Sequence, residues 1–127
     1  MSLFSRVQVV SIAVADWEAA KKFYADVLGW PLLFGIDEVG WWEFGREGEA
    51  HVSLSRWTGP GPIPSHEGTT SLILEVEDCH EVTRQLRAKG VRCDDVVTIP
   101  GMVVFGGFYD PEGNHIQMAN REAPAAA

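Results

Sequence analysis

The stretch that decides the fold runs from Val7 to Gly29, VQVVSIAVADWEAAKKFYADVLG. Its first part, residues 7–14, is short and dense in β-branched side chains, which predicts a strand. Asp16 then offers a carboxylate to the free backbone N–H groups of a helix start. Ala20, Phe23, Tyr24, Val27 and Leu28 follow at the i, i+3, i+4, i+7, i+8 spacing of an amphipathic helix. Glu18 and Lys22 form an i,i+4 pair on its other face. Gly29 supplies the left-handed residue that ends it.

Outward from this unit come three short extended segments, Leu32–Ile36, Trp41–Gly45 and His51–Trp57. Turn residues separate them, so they read as an antiparallel meander. Residues 58–69, TGPGPIPSHEGT, are a Pro/Gly-rich linker that holds His66. Then the pattern returns. SLILEV (71–76) is a strand. Asp78 starts a second helix, with Glu81 completing a capping-box-like pair. Cys79, Val82 and Leu86 form its buried stripe, His80 faces solvent, and Gly90 ends it. Val91–Thr98, Met102–Tyr109 and His115–Ala119 are three more strands, the last two joined by the turn Asp110-Pro111-Glu112-Gly113. Val14-Ala15-Asp16 recurs as Val76-Glu77-Asp78, 62 residues later.

The fold class is therefore α+β, with two tandem βαβββ units in one domain. Unit one spans about 6–57, the linker 58–69, unit two about 70–119 and a disordered tail 120–127. A unit of ~60 residues buries too little surface to stand alone, so the two mixed sheets are expected to pair and form a cup. Alternate residues of each strand would face that cup.

Composition narrows the partners. The chain has 127 residues, 46 % of them hydrophobic, and a formal net charge of −8. That suits one globular domain with an ordinary core. The acidic balance argues against nucleic acid and anionic membrane, both of which attract Lys/Arg patches. Cys79 and Cys93 have neither disulfide-framework nor zinc spacing, and read as two reduced thiols of a cytoplasmic protein. Ser11 interrupts the only apolar run near the N-terminus, so neither a signal peptide nor a spanning segment is expected.

VSIAVADWEAAKKFYADVLGW, together with the closing GFYDPEGNHIQM, resembles the vicinal oxygen chelate superfamily: glyoxalases, extradiol dioxygenases, and fosfomycin- and bleomycin-resistance proteins. The resemblance covers about residues 7–119. It implies the glyoxalase/bleomycin-resistance fold and a homodimer. It does not imply one activity, because the fold hosts several. In the metal enzymes of the superfamily four ligands project from the strands into the cup. Matched motif by motif, their positions here hold Val9, Ser53, Ser71 and Gln117. Valine has no lone pair, and neutral Ser and Gln oxygens are weak ligands for divalent transition metals. The resemblance thus implies a scaffold with its metal site emptied and no cofactor. A divalent metal enters only through a shifted site built from His51, His115 and Glu43.

Several other residues belong with the cup. By alternation, one of Trp41 and Trp42 faces it and the other faces the helix. Trp57 shares parity with His51, Ser53 and Ser55, and aromatic walls suit a planar or cationic ligand. Trp17 and Trp30 sit at helix ends as packing. Glu75 alternates with Ser71 and Ile73, and His115 shares parity with Gln117. Gly106-Gly107 lies inside a strand and marks a bulge or a close approach. The candidate ligand-binding set is Trp41, Glu43, His51, Ser53, Trp57, Ser71, Glu75, His115 and Gln117. Two functions follow. One is a metal-free binding protein that sequesters a small aromatic or cationic organic molecule, in the manner of bleomycin-resistance proteins. The other is a glyoxalase- or dioxygenase-like enzyme with a relocated metal.

Overall fold

The computed structural model describes residues 2–3, 5–63 and 72–122. Ser71, His66, most of the second half of the linker and the last five residues of the tail lie outside them. The chain divides into two compact units, Met1–Ser65 and His66–Ala127. Each has the same element order, as the V-x-D duplication predicts.

In the first unit, β1 (Val9–Val14) leads into α1 (Trp17–Lys22), and β2 (Leu32–Ile36), β3 (Trp41–Phe44) and β4 (His51–Arg56) follow. The sheet order is β1-β4-β3-β2. β1 lies parallel to β4, and the other pairings are antiparallel. The Asp16 carboxylate accepts from Ala19 N at 3.2 Å and caps α1. The last turns widen to a π-helical segment, Phe23–Val27, and Gly29 then takes φ +65°. Trp17, Ala20, Phe23 and Tyr24 are buried against Val14, Phe44, Val52 and Leu54. Apolar burial at roughly 25 cal/mol per Å² is what fastens helix to sheet.

The Glu18–Lys22 pair does not form; Glu18 meets Lys21 instead, at 3.0 Å. Lys21 is drawn inward because it is shared. Its Nζ also lies 3.2 Å from Asp37 and stands over the rings of Trp17 and Trp42. Trp17 Nε1 donates to the same Asp37 at 3.3 Å. This latch ties the turn after β2 (Asp37–Val39) to the helix.

The second unit repeats the plan with β5 (Leu72–Glu75), α2 (Cys79–Ala88), β6 (Val97–Ile99), β7 (Val103–Tyr109) and β8 (His115–Arg121), in the order β5-β8-β7-β6. Asp78 caps α2 by accepting from Glu81 N at 3.2 Å. The reciprocal half of the capping box is absent, because the Glu81 carboxylate turns to Arg84 and Gln85 along the helix. The expected strand Val91–Thr98 shrinks to β6 plus one bridge, Cys93 to Phe108. β8 runs to Arg121, so the tail starts later than the sequence suggests. Gly106-Gly107 is no bulge, since β7 pairs with β8 without interruption. It is a close approach: a Cβ on Gly106 would lie 3.1 Å from Cys79 Sγ. Both cysteines are free. Among the described residues no helix is long and apolar enough to cross a membrane.

Two outcomes test this packing. Leu54→Ala is expected to cost about 2–5 kcal/mol in denaturant unfolding, whereas Ile73→Ala, at a position 61 % exposed, stays within about 0.5 kcal/mol. Asp37→Asn lowers the melting temperature at neutral pH. The Lys21 hydrogen bond holds Asp37 below its ordinary 3.8, and the Glu18 hydrogen bond leads those that raise Lys21 above 10.5. Their contribution is therefore lost as pH falls through the folded Asp37 value, and again as it rises through the folded Lys21 value. Followed against pH, the gap between wild type and variant closes at both ends.

Candidate functional site

Cross-strand partners share a face of a sheet, so the register assigns every side chain to the helix or away from it. In the first unit Val10, Ile12, Val14, Val52, Leu54, Trp42 and Phe44 belong to the helix side. Trp42 stands edge-on to Trp17 with ring centroids 6.4 Å apart. The opposite, open face carries Val9 beside His51, Ser11 beside Ser53, and Ala13 beside Ser55. Next across it, Glu43 pairs with Ser53 and Trp41 with Ser55. The expected division between Trp41 and Trp42 is what the ladder sets, with Trp41 on the open side.

Three of these residues lock together. Trp41 Nε1 donates to Glu43 Oε1 at 3.1 Å. Glu43 Oε2 lies 2.6 Å from His51 Nδ1, and His51 Nε2 lies 3.1 Å from the Arg46 carbonyl. Glu43 is only 8 % exposed, and both its oxygens are engaged, as a buried carboxylate requires. The pairing turns the indole nitrogen of Trp41 toward Glu43. Beside it Ser53 is fully buried, and its hydroxyl has no hydrogen-bond partner among the described residues. An orphaned buried hydroxyl costs about 1–3 kcal/mol. Trp57 follows β4, and its Nε1 donates to the Gly61 carbonyl at 2.9 Å. That ties it to the start of the linker rather than to the Trp41 cluster.

In the second unit the open face carries Ile73 and Glu75 of β5 beside Gln117 and Ala119 of β8. Gly107 lies opposite Gln117, and Tyr109 opposite His115. Glu75 is exposed and Gln117 half-buried. His115 Nε2 lies 2.7 Å from Asp94 Oδ2, and Tyr109 OH donates to Asp94 Oδ1 at 3.0 Å. The His115 and Tyr109 rings stack at 4.7 Å. Arg92 places its guanidinium 3.8 Å from the Tyr109 centroid. Sequence reasoning singled out His115 and marked Gly107 as a bulge or a close approach, but missed Asp94, Tyr109 and Arg92. Nothing in the spacing ties position 94 to position 115. Only the bare backbone at Gly107 hinted that something approaches closely there.

The donor chemistry does not fit a divalent metal. Val9 cannot ligate, Ser53 and Gln117 are neutral oxygens, and Ser71 lies outside the described residues. Of the alternative donors, His51 has an acceptor at each nitrogen and Glu43 a donor at each oxygen, which leaves His115 Nδ1 as a single open donor. Among the described residues no three His, Cys, Asp or Glu stand close enough to share an ion. Burial raises the pKa of both the Cys79 and the Cys93 thiol, which disfavours either as a nucleophile.

With this geometry goes a family. The chain belongs to the glyoxalase/bleomycin resistance protein/dioxygenase superfamily, whose model matches residues 6–118. Its fold is that of TnmS3, an antibiotic binding protein from Streptomyces sp. CB03234, at 29% identity and a TM-score of 0.79, covering 96% of this chain and 100% of that one. A glyoxalase/bleomycin resistance protein from the same strain matches at 28% identity and TM-score 0.71, covering 91% and 100%. A superfamily member from Sphaerobacter thermophilus DSM 20745 matches at 25% identity and TM-score 0.76, covering 93% and 98%. None of the curated proteins matches the chain.

Glu43→Ala is expected to destabilise the first unit by about 1–3 kcal/mol for each buried donor it strands, on Trp41 and His51. Chemical denaturation measures the loss, and Trp41 emission reports the freed indole. Glu43→Gln, which keeps an acceptor oxygen, costs less.

Proposed function

We propose that the chain is a metal-independent binding protein that takes up a small aromatic or cationic organic molecule on the open faces of its sheets. One observation carries this reading. The positions from which relatives offer imidazoles and carboxylates hold Val9, Ser53 and Gln117, and the nearest replacements, Glu43 and His51, are committed to each other. A binding role needs no Lewis acid. It needs an aromatic surface and a few placed polar groups, of the kind that Trp41 offers on the first unit and, separately, Gln117 on the second. The likeness to an antibiotic binding protein at 29% identity supports the same class. The free thiols accord with a reducing, cytoplasmic setting.

A homodimer is part of the proposal. β2 is the edge of its sheet, and Leu32, Leu33, Phe34 and Ile36 on it are all exposed, with Val39 just beyond. Exposed apolar edges invite strand pairing, and pairing with a second copy about a twofold axis covers this edge on both copies at once.

A thermal-shift screen of aromatic and quaternary ammonium compounds is expected to give saturable stabilisation that survives chelator. Trp41→Ala removes at least about ten-fold of the affinity, the loss expected for an aromatic contact. Stoichiometric zinc, nickel, iron or manganese in protein purified without chelator, lost in His51→Ala or His115→Ala, overturns the reading in favour of an enzyme. Phe34→Lys is expected to convert the dimer to a monomer in sedimentation.

A further inference from the structure

The two units hold a histidine in the same place by different means, and the difference points to a site. His51 and His115 each open the strand that pairs parallel with the first strand of its unit. Each is bonded to a carboxylate, at 2.6 Å and 2.7 Å. In the first unit the carboxylate is Glu43, opposite Ser53, and the other ring nitrogen is taken by the Arg46 carbonyl. In the second unit the residue opposite Gln117 is Gly107. A Cβ there would sit 2.6 Å from His115 Nε2 and 2.8 Å from Asp94 Oδ2. Glycine therefore makes the room in which Asp94 reaches across to the imidazole. Asp94 is itself fixed, its N–H donating to the Gly107 carbonyl at 2.9 Å and its second oxygen accepting from Tyr109.

His115 is left half-committed. A carboxylate only accepts, so the ring proton sits on Nε2, and in the neutral imidazole Nδ1 presents a lone pair. That atom has no partner among the described residues, and the side chain is 39 % exposed. Stacking on Tyr109 holds the ring in one plane. An imidazole whose far nitrogen is pinned by a carboxylate has a fixed tautomer and a strengthened acceptor.

We infer that His115, set by Asp94 above Gly107, is a ligand-binding residue whose Nδ1 accepts a hydrogen bond from an acidic hydroxyl of the phenol class. This rests on the small-organic-ligand reading above and names the group that such a ligand presents to His115. A phenol suits the site better than an aliphatic alcohol for one reason. Its more acidic O–H makes the stronger bond to an imidazole nitrogen. Asp94 is a positioning residue.

The test uses the full chain, labelled with nitrogen-15, and two probes that differ only in the donor: 4-cyanophenol and its methyl ether, 4-methoxybenzonitrile. At mildly alkaline pH the histidine ring spectra are expected to show His115 as the Nε2–H tautomer. Asp94→Asn loses that preference. Near neutral pH, where it keeps its O–H proton, 4-cyanophenol shifts the His115 Nδ1 resonance and binds about ten-fold more tightly than the ether, the size of one good net hydrogen bond. The advantage vanishes in His115→Ala. A Nδ1–H tautomer, or equal binding of phenol and ether, overturns the inference. Trimethylphenylammonium separates this failure from that of the broader reading. If it binds while the phenol shows no advantage, only the His115 assignment falls; if none of the three binds, both fall.

Discussion

A single helix laid on one face of a four-stranded sheet forces each strand to sort its side chains by parity. In both units the helix side takes the apolar set, Val14, Phe44 and Leu54 in one and Val104, Phe108, Ile116 and Met118 in the other, all buried. What is left over goes to the far face, and there the residues are of another kind: serine, tryptophan, glutamate, histidine and glutamine. Because side chains alternate with period two, a slip of one residue would bury Ser53 and Glu43 under the helix and expose Leu54. The core therefore fixes the chemistry of the open face as firmly as it fixes the fold.

Much of this was legible because it is periodic or local. The caps at Asp16 and Asp78, the glycine stops and the alternation around Trp41 and Trp42 depend on neighbours within a few residues, and each stands where the sequence puts it. The placement of Val9, Ser53 and Gln117 on the open faces is equally local, since it follows from strand parity. Contacts across long separations were not legible. Lys21 finds Asp37 and Trp42 rather than standing opposite Glu18, because a turn folds back over the helix. Asp94 finds His115 because the chain before β6 is irregular. That segment, rich in valine, reads as a strand, yet tertiary contacts with β7 leave only Cys93 bridged before Val97.

The duplication shows how one requirement survives divergence. Glu43 and Gly107 occupy matching ladder positions, one supplying a carboxylate and the other removing a side chain so that a carboxylate can come from elsewhere. Both arrangements keep a histidine from standing unpartnered beside the strand pair. Only the first closes the ring completely, through Arg46. The second leaves an edge of imidazole to solvent, so the two units, alike in backbone, differ in what they present.

Charge then plays a different part from the one that composition alone suggests. A net −8 invites the idea of an anionic pocket for cations. On the open face of the first unit, however, the one buried carboxylate is shared between an indole N–H and an imidazole, and on the second Asp94 is shared between a phenol O–H and an imidazole. Glu75 is the exposed carboxylate that remains on these faces without a partner among the described residues. Its attraction for a ligand is screened by the water around it. The chain's acidity thus acts at long range, raising the encounter rate of cationic molecules. Under the binding role proposed above, retention at short range falls to ring faces and to hydrogen-bonding atoms that the paired carboxylates have oriented rather than to the carboxylates themselves.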